Sequence, residues 1–272
     1  MLSVITWGIP NSDRVFLYHM DEWHQLMSIR ALAMNHTTTI DGAAHGAVFH
    51  FLSAGAFLGI FQILGVVNIF DIANSVAGLH TQEKIFIILR ISTLLYGIGS
   101  VFILSRILKD HIKTNYYWAG LILFVFSPIW ISLSIYFKYD IALFFWILLS
   151  LYLIFRFVSL PTYRNYIVAA VATGLAFDTK ISATPLFLVF VLSYFLSGQN
   201  WRQNFMLLIN GVSILMLTIF LLGLPDLILG NGNYGIIISD VVFHYPANSY
   251  NYILGTNFWW YLLFNRFPTL LY

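Results

Sequence analysis

From Tyr116 to Phe137 the chain carries no Asp, Glu, Lys, Arg or His, and the same holds from Phe205 to Leu224. A helix rising about 1.5 Å per residue needs about 20 predominantly apolar residues to cross roughly 30 Å of hydrocarbon. Three more segments approach that pattern: Ile85–Ile107, Ile141–Phe157, and the pair Tyr166–Phe177 and Ile181–Leu196, split by Asp178-Thr179-Lys180. Charged residues make up 9% of the sequence and AVILMFWYC 60%, against about 25% charged in soluble chains. Lipid is therefore the solvent for most of the surface. The expected fold class is all-α, a polytopic bundle of transmembrane helices.

The absence of cysteine excludes disulfides, thiolate catalysis and Cys-ligated zinc or iron–sulfur centres. A formal net charge of +2 gives no reason to expect a nucleic-acid partner.

The few charges sort the connections into two sets. Arg106, Lys109 and Lys113 share one connection, Arg156 and Arg164 another, and Arg202 lies in a third, with Asp110 the single acid among them. The alternate connections hold Lys138 and Asp140, then Asp178 and Lys180, then Asp226 and Asp240. The positive-inside rule makes the first set cytoplasmic and the second extracytoplasmic. The expected organisation is a loop with interfacial helices over 1–84, a helix bundle over 85–224, a second loop over 225–257, and the start of a further, truncated helix over 258–272. The run Ala47–Phe70 is long enough to span. Its stripe of small or polar residues at Gly46, His50, Ser53, Ala56, Gly59, Gln62 and Gly65 suits an interfacial helix and a packed spanning helix equally.

The densest polar cluster is Tyr18-His19-Met20-Asp21-Glu22-Trp23-His24-Gln25. Asp21 precedes a helical pattern through Trp23, Leu26, Met27, Arg30, Ala31 and Met34, and is expected to be its N-cap. Gln25 and Ser28 continue round a polar side, with Trp23, Leu26 and Met27 toward lipid. One reading of the acids is a capped interfacial helix meeting water. The other is a general base at the membrane surface, within reach of a lipid-borne and a soluble substrate. His19 and His24 beside Asp21 and Glu22 have the residue types to ligate a divalent cation, the one cofactor the sequence raises. Asn35-His36-Thr37 is an N-glycosylation sequon, read as coincidental.

Asp21-Glu22 after Gly8-Ile9-Pro10, followed by His45-Gly46-Ala47-Val48-Phe49-His50-Phe51-Leu52, resembles the first extracytoplasmic loop of the GT-C membrane glycosyltransferases. The closest group is the protein-mannosyltransferase and aminoarabinose-transferase type. Leu89-Arg90-Ile91-Ser92 resembles that family's Leu-Arg-Leu-Leu-Ser. Ser127-Pro128 with Lys138-Tyr139-Asp140 resembles its Ser-Pro element and second acidic residue. Gly174-Leu175-Ala176 with Thr179-Lys180 resembles its Gly-Leu-Ala…Thr-Lys turn. The sequence departs from the family where a basic residue and Pro-Pro are usual and His45-Gly46-Ala47 stands instead.

The resemblance implies a polyprenyl-phosphate sugar as donor and a hydroxyl on protein, lipid or glycan as acceptor. It implies that Ala47–Phe70 lies in the interface, so that Asp21 and Asp140 share one face. It also implies that the family's first spanning helix lies upstream of Met1 and its last helices downstream. Asp21 and Glu22 become the catalytic candidates. Asp140, Lys180, Arg90, Lys138, His45 and His244 become candidates for holding the substrate. The expected location is a plasma membrane, or an endoplasmic reticulum membrane in a eukaryote. A transporter or flippase for lipid-linked sugars is the alternative. It predicts charges within spans and helices broken in paired halves, whereas nearly all charges here fall in loops or at span ends.

Overall fold

The computed structural model describes residues 5–10, 20–35, 48–68, 79–112, 114–198 and 205–223, all within the first of two units, Met1–Leu229. Among these residues there are nine α-helices and no strand. They are α1 Met20–Asn35, α2 Val48–Ile63, α3 Leu79–His111, α4 Thr114–Val125, α5 Pro128–Ile135, α6 Tyr139–Ser159, α7 Tyr163–Thr179, α8 Pro185–Leu196 and α9 Phe205–Thr218. A 3-10 turn, Ile181–Ala183, leads into α8, and α9 continues as a π-helix, Ile219–Gly223. The expected loops at 225–257 and the segment 258–272 lie outside the described residues.

Among the described residues three helices are long and apolar enough to cross a membrane: Glu83–His111, Tyr139–Ser159 and Phe205–Leu222. The run expected to be one span from Tyr116 to Phe137 is instead broken, with Tyr116–Val125 and Pro128–Ile135 bent by 48°. Pro128 lacks the N–H that would continue the ladder, and its ring would clash with the carbonyl four residues back. The residue before it, Ser127, is extended, as a pre-proline residue should be. At 16 residues, α2 is about 24 Å long, short of the bilayer core.

The ends of the helices sort as the charges do. His111, closing α3, packs edge-on against Phe155 near the end of α6 at 5.5 Å, which gathers the basic residues Arg106, Lys109 and Arg156 at one end of the bundle. The starts of α1, α2 and α6 and the end of α7 meet at the other. Between these ends α6 and α7 are joined by the buried hydroxyl pair Ser150 and Thr173 at 2.7 Å.

The contact of α7 with α9 depends on a missing side chain. A Cβ at Gly211 would lie 2.2 Å from Cε1 of Tyr166. That ring has no room to yield, because it stacks on Phe190 at 4.5 Å and lies against Phe157 at 4.5 Å. Gly211→Ala is expected to lower stability by about 1–3 kcal/mol. Gly59→Ala, whose added Cβ meets nothing within 4 Å, serves as the near-neutral control in the same thermal unfolding experiment. Equal midpoints for the two variants would refute this account of the helix contact.

Candidate active site

Helix α1 begins at Met20, two residues earlier than an N-cap at Asp21 would give. Asp21 and Glu22 therefore sit in its first turn rather than at the cap, where the helix dipole favours negative charge. The expected lipid-facing and polar sides are also partly exchanged. Glu22, Gln25, Leu26, Ser28 and Ile29 are buried, whereas Trp23 and His24 are exposed. The reason lies far along the chain in α3.

Arg90 and Glu22 are both fully buried and form a two-pronged ion pair. Arg90 Nε donates to Glu22 Oε1 at 2.8 Å, and Nη2 donates to Oε2 at 2.6 Å. Arg90 Nη1 donates to the carbonyls of Ile5 and Trp7 at 2.7 and 2.6 Å, and the guanidinium lies 5.5 Å from the centre of the Tyr136 ring. The planar fork of arginine suits this bidentate use. Glu22 Oε1 also accepts from the backbone N–H of Phe137 at 2.8 Å.

Two of the expected site residues are therefore buried. Arg90 makes four hydrogen bonds within the protein and is fully buried. Glu22 has both oxygens engaged below the surface, by Arg90 and by the Phe137 N–H.

What Glu22 positions is the neighbouring pair. While Glu22 holds Phe137, Asp21 Oδ2 accepts from Lys138 Nζ at 2.6 Å. Lys138 Nζ lies 3.7 Å from Asp140 Oδ2, and Lys180 Nζ lies 2.9 Å from Asp140 Oδ1. Asp21, Lys138, Asp140 and Lys180 thus form a row of alternating sign. It draws on the start of α1, the α5–α6 junction, the start of α6 and the residue after α7. Lys180 also stands 4.5 Å above the ring of Tyr139. The Asp21 side chain is 51% exposed and that of Lys138 14%, so the row opens at the Asp21 end.

Four expected residues are brought together in this way. His19, His45 and His244 lie outside the described residues. Among the described residues no three His, Asp or Glu side chains group to hold a metal ion.

Three polar groups named from the sequence are buried, which the sequence pattern does not show. The two nitrogens of His50 are buried without a hydrogen-bond partner, as are both polar atoms of Gln25 and both carboxylate oxygens of Asp178. His50 stacks on Phe137 at 5.1 Å and meets Tyr139 edge-on at 6.3 Å. The imidazole therefore serves as an aromatic floor under residues 137–140. Periodicity marks such a residue as part of a small or polar stripe and carries no sign of what lies above it. One turn further along α2 is a cavity of about 290 Å³ lined by Ser53, Phe57, Ser92, Leu95, Tyr96 and Phe145. Two of its three hydroxyls are joined, with Tyr96 Oη donating to Ser53 Oγ at 3.1 Å.

Burial lowers the His50 pKa from 6.5 to about 3, against an opposing pull from the charge on Asp140. Between those values the unfolded chain takes up a proton that the folded protein excludes. Stability contributed by neutral His50 is thus complete above about pH 6.5 and is lost as the pH falls toward 3. Lowering the pH from 7 to 5 is expected to remove about 2 kcal/mol through this residue. His50→Phe, which keeps the stacked ring, should flatten that part of the curve of unfolding midpoint against pH. An unchanged slope would show that His50 is not its source.

The described residues thus form a helical bundle with long apolar helices and a row of charged side chains at one end. The sequence profile of the family described as dolichyl-phosphate-mannose-protein mannosyltransferase matches residues 68–228. That is more than half of the chain, which belongs to this family and is a membrane glycosyltransferase of the GT-C type. Comparison with curated proteins and with solved structures gives no match. The matched range holds Arg90, Lys138, Asp140 and Lys180. Asp21 and Glu22 precede it and are tied to it by the contacts just described.

Proposed function

We propose that the protein transfers a hexosyl or pentosyl group from a polyprenyl-phosphate donor to a hydroxyl acceptor at the extracytoplasmic surface, with inversion at the anomeric carbon. The observation that carries this reading is the row Asp21–Lys138–Asp140–Lys180 at one end of an apolar bundle. A polyprenyl-phosphate sugar carries its reactive carbon at headgroup level, which suits a charged row at one end of an apolar bundle. The gathering of Arg106, Lys109 and Arg156 at the far end supports the sidedness through the positive-inside rule.

Asp21 takes the proton of the acceptor hydroxyl as the oxygen bonds to the anomeric carbon. The bond from that carbon to the phosphate oxygen breaks, and the lipid phosphate leaves with the electron pair as a dianion. Lys138 and Lys180 supply the positive charge that this dianion needs in a site with little water. Asp140 orients both ammonium groups and is available to a sugar hydroxyl. The cavity between α2, α3 and α6 offers apolar walls to the first part of the prenyl chain.

The test is the anomeric proton signal of the product formed by the full-length protein from a polyprenyl-phosphate hexose of known configuration. Inversion supports the single displacement, and retention overturns it.

A further inference from the structure

We propose that Lys138 is an exchange point that passes from Asp21 to the donor phosphate, so that the base is released only once the donor has bound. The inference rests on the proposed donor class and adds an order to the reaction.

A carboxylate bound at 2.6 Å by an ammonium has a lone pair held in a charge-assisted hydrogen bond. An ammonium held there also stabilises the charged form and weakens it as a proton acceptor, so Asp21 is the stronger base once that contact is given up. The geometry supplies a route. The backbone of Lys138 is extended just before α6, and the neighbouring Phe137 N–H is pinned by buried Glu22. The base of the Lys138 side chain is thus fixed while its four-carbon stem can turn. Asp140 also pairs with Lys180, at 2.9 Å, so it still has a cation when Lys138 turns away. Lysine suits the task because it is a compact charge on a flexible stem, unlike the rigid fork of Arg90 below it. The pair includes the most exposed side chain of the row, Asp21 at 51%.

In the exchanged state Lys138 donates to a phosphate oxygen, and Asp21 turns its freed oxygen to the acceptor hydroxyl. After transfer the proton resides on Asp21 and the dianion on the lipid. Departure of the lipid phosphate and loss of the proton to water restore the Asp21–Lys138 pair.

Competition for one ammonium has a thermodynamic signature. The probe is undecaprenyl phosphate, measured against undecaprenol, binding to the full-length protein in phosphatidylcholine nanodiscs. Asp21→Asn is expected to bind the phosphate about threefold more tightly, because it no longer holds Lys138. Lys138→Met is expected to bind it about tenfold more weakly. The double variant is expected to match Lys138→Met alone. Lys138→Gln replaces the methionine variant if that one does not fold.

Unchanged or weaker binding by Asp21→Asn overturns the exchange. Equal tightening by Asp21→Asn with and without Lys138 also overturns it, since that is plain charge repulsion. Wild-type protein with no preference for the phosphate over the alcohol removes the donor class, and the exchange with it. Wild-type preference without coupling removes the exchange alone.

Discussion

Arg90→Ala is expected to cost about 3–5 kcal/mol, a large share of the roughly 5–15 kcal/mol typical of a folded domain. The loss exceeds what the ion pair itself is worth. Glu22 would remain as a bare charge at zero exposure, and the carbonyls of Ile5 and Trp7 would lose the donor they share. A buried carboxylate without its partner is among the costliest changes a single substitution can make. Replacing both partners by apolar residues of similar size, as in Arg90→Met with Glu22→Leu, should recover much of the stability. It should not recover activity, because the Phe137 N–H then has no carboxylate and Lys138 loses its register against Asp21. Thermal unfolding of the single and double variants checks both statements. A loss below about 1 kcal/mol for Arg90→Ala would mean that the pair does not organise the site.

Asp21→Asn is expected to act in the opposite way, on rate rather than on stability. Its pair with Lys138 is half exposed, and exposed pairs contribute about 0–1 kcal/mol, so unfolding should barely move. A positioned general base supplies about 10²–10⁴ in rate, and turnover should fall by that factor in a protein that remains folded. Asparagine keeps the shape of the side chain and can still hydrogen-bond, so the loss reports proton transfer. A fall of less than about tenfold would reassign the base.

Much of the bundle was legible because lipid leaves a coarse signal. The apolar runs became helices, and α6 starts and α7 ends where the sparse charges placed a surface. The break at Ser127-Pro128 was visible as a residue pair, but a proline within an apolar run does not announce how far the halves will bend. Asp140 and Lys180 could be assigned to one face from charge bias, and their ion pair at 2.9 Å follows from that assignment only in outline.

The inward turn of Glu22 was not legible. A short window from Asp21 to Ser28 reads as a polar side, since nothing local says that Arg90, distant in the sequence, lies underneath to compensate the charge. The same holds for His50, whose floor role depends on Phe137 and Tyr139. Local periodicity reports how a helix would sit against water or lipid, and buried polar pairs override it.

The most direct test of the central claim is transfer of labelled sugar from a polyprenyl-phosphate donor by the full-length protein in proteoliposomes, wild type beside Asp21→Asn. The expected result is label in the acceptor with the wild type, and its near absence with the folded variant. Undiminished transfer by Asp21→Asn, or wild-type transfer from a nucleotide sugar with none from the lipid donor, would contradict the account.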